Sequence, residues 1–180
     1  MKPAWYMKFQ ERDDCLLDKT GGLPTHLPRV VPRNGAGEEM AFIAQFYCMD
    51  GRLAIPDTLC VQLYQDPDGD PLPVAVRLPV DAPENQNGQG LAHPQVKRLA
   101  IDWTVKQDPD NIPDVVGLTD EEGELMESKI AGTPYYTDDE LPEGHTYLFQ
   151  LAEEPAGLNF ADRIAIVTMD ETGDLYVRLQ

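Results

Sequence analysis

Apolar residues in this chain alternate with a period of two more often than they recur with the period of a helix. From Met40 to Cys48, Phe42, Ala44, Phe46 and Cys48 fall on one face, and Ile43, Gln45 and Tyr47 on the other. Successive side chains of a strand point to opposite faces. With both faces largely apolar, this strand is expected to be central and covered on both sides. Leu59, Val61 and Leu63 alternate with Cys60, Gln62 and Tyr64, which predicts a second strand. Residues 66–71, DPDGDP, predict a turn, and 74–78 the returning strand of a hairpin. Leu99, Ile101, Trp103 and Val105 alternate with Arg98, Asp102 and Thr104, a half-exposed strand within 96–105. Further strands are expected at 146–152, 163–170 and 174–179, the last two joined by a hairpin turn at 171–174. Residues 120–129, DEEGELMESK, are the best helix candidate, weakened by Gly123. Residues 1–17 read as a short amphipathic helix or an opening strand. The predicted fold class is α+β, mostly antiparallel β-sheet with few short helices.

The strands fall into two similar sets. The stretch 41–65 aligns without a gap on 146–170 at an offset of about 105, matching Gln45 to Gln150, Leu53 to Leu158 and Asp57 to Asp162. Upstream, Lys19-Thr-Gly-Gly-Leu-Pro24 is echoed by Lys129-Ile-Ala-Gly-Thr-Pro134 at an offset of about 110. Two echoes in the same order predict one β-rich unit used twice in a single domain, 1–180. The halves run approximately 18–80 and 127–180, joined by 81–126. Within the join, 81–90 (DAPENQNGQG) is the most disorder-prone stretch. Residues 18–39 are rich in Gly and Pro and read as an extended loop pinned to the surface.

Charge narrows the partners. Lys and Arg number 14 against 32 Asp and Glu, a formal charge of -18. Nucleic acid and anionic membrane surfaces both recruit clustered Lys and Arg, so neither is expected as a partner. A basic protein, a cation or an uncharged partner stays open. Cys15, Cys48 and Cys60 are widely spaced, with no paired motif for a disulfide framework or zinc. No apolar run is long enough to span a membrane and no secretory h-region opens the chain, so a cytoplasmic protein is expected.

Lys19 to Pro24, Phe42 to Phe46, and 55–57 leading into Leu59 to Tyr64 together resemble the YwqG-like family (DUF1963), a bacterial domain of unknown function. That family's pattern is Lys-x-Gly-Gly-x-Pro, an apolar strand with a Gln, then Leu-Pro-Asp-x-Gly before an aromatic-rich strand. Residues 173–177 are similar to its closing Gly-x-Leu-Tyr-Phe strand. The likeness covers roughly 18–180, and departs from the pattern at Ala131 and after Asp57, where a Gly is missing. It implies a fold and no catalytic residues. A more distant likeness, to the programmed-cell-death-protein-2 group, lacks the zinc-ligand cysteine pairs of that group.

Candidate chemistry is sparse. His26, His93 and His145 have no metal spacing, Ser128 is the only serine, and no phosphate-binding or nucleophile motif occurs. Asp66, Asp68 and Asp70 are metal candidates by their alternation, against a solvated hairpin tip as the plainer reading; the Gly and Glu of a calcium loop are absent. Tyr135 and Tyr136, followed by Asp138, Asp139 and Glu140, are candidates for binding a protein, with Tyr64 and Trp103 as further aromatic anchors, against core packing as the plainer reading of Trp103. No cofactor and no catalytic residue is expected. The function expected is a non-catalytic binding protein, a protein-interaction module of immunity or antitoxin type toward a basic partner. The alternative is a small-ligand or cation-binding protein using the cleft between the two halves.

Overall fold

Ten strands, all antiparallel to their neighbours, build one sheet in a computed structural model that describes residues 1–12, 17–110, 123–135 and 141–180. They are β1 (Lys2–Gln10), β2 (Lys19–Thr20), β3 (Ala41–Tyr47), β4 (Thr58–Gln65), β5 (Val74–Pro79), β6 (Leu99–Asp108), β7 (Lys129–Ala131), β8 (Thr146–Leu151), β9 (Ala165–Met169) and β10 (Leu175–Leu179). Their order across the sheet is β10-β9-β8-β7-β1-β6-β2-β3-β4-β5. The sheet curls into a nearly closed barrel. Its two edge strands face each other across a seam, where Arg77 Nη1 donates to Gly173 O at 3.3 Å. The mostly antiparallel fold read from the sequence is therefore the observed one.

The interior is a single core. Ile43, Phe46, Val61 and Leu63 from one side pack with Phe149, Leu151, Phe160 and Val167 from the other, and the Phe46 and Phe149 rings meet at 4.7 Å between centroids. All seven residues of β3 are buried, as its two apolar faces predict. Its strict alternation does not hold. A register shift between Phe42 and Ala44 leaves Ile43 without a cross-strand partner. An extra residue of this kind bends the strand and sharpens its twist. Phe42 therefore turns away from Phe46 and joins Met40 and Tyr64 in a separate outer cluster. A matching shift lies in β8, between Tyr147 and Phe149.

The opening segment, left open between helix and strand, is a strand, β1, and it sits mid-sheet between β6 and β7. Two expectations change. The described part of the helix expected over 120–129 holds one 3-10 turn, Glu124–Met126, and Ser128 and Lys129 are drawn into pairing with β1; residues 120–122 lie outside the described residues. The stretch 81–90 is tied down despite its polar composition. Asn85 donates its backbone N–H to Thr25 O, and its side-chain Nδ2 to Pro24 O and Gln89 O. Among the described residues no helix is long and apolar enough to cross a membrane.

Candidate functional site

The loop after β2 shapes a cleft. Lys19 and Thr20 pair with both β3 and β6, so the chain must turn sharply to leave the sheet. Gly21 and Gly22 make that turn at φ of 62° and 67°. A Cβ at Gly21 would lie 2.5 Å from the Lys97 carbonyl oxygen, so only glycine tolerates this crossing. Beyond Pro24 the loop is held by side chains from the sheet. Gln45 Oε1 accepts the Thr25 N–H at 3.0 Å, and Gln45 Nε2 donates to Thr25 Oγ1 and Leu17 O. Gln62 Nε2 donates to His26 O, and Tyr47 OH lies 2.6 Å from His26 Nδ1. Buried amides spent in this way fix a loop that has no ladder of its own.

Between this loop and 84–88 lies a cleft of about 660 Å³, inside the size range of small-molecule sites. Leu17, Leu23 and Pro24 supply apolar wall, while Lys19, Arg98, His26, Thr25, Glu84 and Asn85 supply polar groups. Lys19 is almost wholly buried, and the Arg98 side chain lies against Gly22. In a chain of net charge -18, two cations against one carboxylate among the described lining residues is a local reversal of sign.

A second polar cluster is sealed in the interior. Lys129 Nζ is 2.6 Å from Asp108 Oδ2, Tyr6 OH donates to Asp108 Oδ1 at 2.6 Å, and the Thr133 N–H donates to Asp108 Oδ2 at 2.9 Å. Lys129 and Asp108 have essentially no exposed side-chain surface. Burial, with Asp108 beside it, drives the Tyr6 phenol far above its ordinary range. Burial lowers the Lys129 pKa while Asp108 pulls it back up. This is a structural ion pair with no space for a substrate. A third buried acid, Asp18, accepts from the Tyr47 N–H, Arg52 and Trp103 Nε1. Burial raises its pKa against the pull of those donors.

The residues singled out from the sequence are scattered. Asp66, Asp68 and Asp70 cap a hairpin tip: Asp66 takes Asn34 Nδ2 and the Asp68 N–H, and Asp70 takes the Leu72 N–H. The Asp66 and Asp70 carboxylates are spent on turn geometry, and among the described residues no group of three or more His, Cys, Asp or Glu could hold a metal. Tyr135 is not a surface anchor. It is buried with Leu125, Ile164 and Ile166, because Gln150 Oε1 draws in its backbone N–H at 2.9 Å. Tyr136, Asp138, Asp139 and Glu140 lie outside the described residues, as does Cys15. Tyr64 is buried too, and Trp103 packs under Arg52 at 4.9 Å. Of the histidines, only His26 lines the cleft.

Sequence reading missed Arg98, Glu84 and Asn85, which had been assigned to a strand start and a disorder-prone join. It also missed the Lys129–Asp108 pair. No local pattern links residues brought together only by the pairing of β1 with both β6 and β7. Compared with known proteins, no family model matches the chain and no curated protein matches it.

Proposed function

We propose that this chain is a non-catalytic small-ligand-binding protein, built from two copies of one five-strand unit, with its site in the loop cleft of the first copy. The observation that carries the ligand reading is the convergence of Lys19, Arg98 and His26 on one cleft. By contrast Tyr64 and Tyr135, which a flat partner-binding face would need at the surface, are buried.

Paired contacts support the duplication. Gln45 accepts the N–H of the residue after Pro24, and Gln150 that of the residue after Pro134. Asp18 Oδ1 accepts the Tyr47 N–H, as Ser128 Oγ accepts the Ala152 N–H. Gly21 and Gly22 have counterparts in Ala131 and Gly132, all four at positive φ. The register refines the alignment: Gln62 opposite Gln45 corresponds to Ile166 opposite Gln150, so Ile166 matches Gln62 rather than Val61. Each copy also lends its first strand to the other. Asp18 O accepts the Ile101 N–H of β6, and Ser128 O accepts the Met7 N–H of β1. On this reading the units begin at β1 and β6, earlier than 18 and 127. The same correspondence sets Lys129, which Asp108, Tyr6 and Thr133 enclose, against the cleft-lining Lys19. The resemblance to the YwqG-like family is part of this proposal and rests on the same loop and Gln elements.

The absence of catalysis is supported by the state of the nucleophiles. Burial pushes the Cys48 thiol up to about 11 and Cys60 to about 12, far from thiolate at neutral pH. Ser128 is buried and accepts a backbone N–H. The second reading, a basic protein partner as for an immunity protein, is favoured by the charge of -18.

Native mass spectrometry after incubation with a small-molecule extract tests the ligand reading. Wild type should retain a small molecule that Gln86→Trp, which fills the cleft rim, does not. Equal retention by both, or none, counts against it. Capture of a basic protein released by salt would instead favour the second reading.

A further inference from the structure

Three nitrogen-bearing side chains, Lys19, Arg98 and His26, line the cleft. Lys19 and Arg98 are donors only, and although both also interact within the protein, an ammonium has three N–H groups and a guanidinium five. Gln45 Nε2 donates to Thr25 Oγ1. Tyr47 OH and His26 Nδ1 lie 2.6 Å apart. With the phenol donating, the imidazole proton stands on Nε2. Burial keeps the Tyr47 phenol protonated by raising its pKa well beyond the ordinary range. The acceptors are few. Asn85 is committed to backbone groups through both its side-chain atoms, donating to Pro24 O and Gln89 O and accepting the Gln89 N–H. Among the described residues Glu84 is the one carboxylate in the lining, and it is exposed.

We propose that the cleft takes a small organic acid, with its carboxylate held by Arg98, Lys19 and His26 Nε2–H and its apolar body against Leu23 and Pro24. This rests on the cleft being the ligand site. A planar guanidinium matches a carboxylate through two parallel N–H bonds. Glu84 opposes a dianionic phosphate more strongly than a carboxylate of single charge. In a chain of net charge -18 long-range attraction does not gather anions, so recognition must come from these close donors.

The test is amide-resolved NMR of the full ¹⁵N-labelled chain, titrated separately with benzoate, phenyl phosphate, benzyl alcohol and benzylamine. Benzoate should shift the amides of Leu23, Thr25, His26 and Asn85. Arg98→Gln should weaken it about tenfold, while Arg178→Gln on β10 leaves it unchanged. Tighter binding of phenyl phosphate than of benzoate overturns the carboxylate assignment. Equal binding of the alcohol or amine, or affinity unaffected by Arg98→Gln, overturns the acid and keeps the cleft. Shifts at none of these amides with any of the four probes overturns the cleft itself.

Discussion

Gln45 and Gln150 hold the loops that follow β2 and β7 through the same kind of contacts. Each accepts a backbone N–H just after a proline, Thr25 at 3.0 Å and Tyr135 at 2.9 Å. Each donates back to a carbonyl two residues before a lysine, Leu17 O at 2.6 Å and Glu127 O at 2.9 Å. Both glutamines are fully buried. Replacing either by Leu leaves an N–H and a carbonyl without their side-chain partner, each costing about 1–3 kcal/mol where water does not reach it. Gln45→Leu and Gln150→Leu should each lose about 3 kcal/mol, read as a lower urea midpoint at unchanged slope. A loss under about 1 kcal/mol would mean that water replaces the amide.

The left-handed turns differ in what they tolerate. Gly132 has φ of 78°, and a Cβ there would press on Asp108 Oδ2 and lie 2.5 Å from Ala4 Cβ. Gly132→Ala should cost about 3 kcal/mol, from the conformation and the overpacking together. Ala131 already carries a side chain at φ of 57°. Ala131→Gly should change stability by less than about 1 kcal/mol, since relief of the backbone is offset by a freer unfolded chain. Thermal melts of the two variants separate these outcomes.

The Lys129–Asp108 pair is costly to break singly. Lys129→Met leaves a buried carboxylate with only Tyr6 and Thr133 as partners, and should destabilise by about 3–5 kcal/mol. Combining it with Asp108→Asn removes that stranded charge and should recover part of the loss. A double-mutant cycle in urea measures the coupling; simple additivity would show that the pair does not act as a unit.

Acid should weaken the fold partly through His93. Its side chain is buried, its Nδ1 accepts the Gln95 N–H at 3.3 Å, and burial lowers its pKa below the ordinary 6.5. As pH falls through 6.5, the unfolded chain takes up a proton that the folded imidazole refuses, so stability falls with pH. Urea midpoints between about pH 7.5 and 5 should decline in wild type and decline less in His93→Phe. Parallel slopes would remove His93 from the acid response.

Much of this architecture was legible because strands of period two carry their own signal. Leu59 to Tyr64 and the two hairpins needed no tertiary knowledge. The failures have physical causes. The bulge at Ile43 is invisible to an alternation count, so Phe42 was set on the wrong face. The acidic run ending at Lys129 has helical propensity, yet pairing with β1 overrides it. Tyr135 looked like a surface aromatic because the sequence gives no hint that Gln150 draws its backbone inward. The cleft was half legible. Lys19 and the Gly21-Gly22 turn stood out, but Arg98 and Asn85 reach it only because β6 lies beside β2 and residues 84–88 fold back over the loop.

The most direct test is a crystal structure of the full chain soaked with benzoate. Density for the carboxylate is expected within hydrogen-bonding distance of Arg98 and His26 Nε2, with the ring against Leu23 and Pro24. A cleft closed by its own Leu17 or Arg98 side chain, with benzoate elsewhere or absent, would overturn the ligand site.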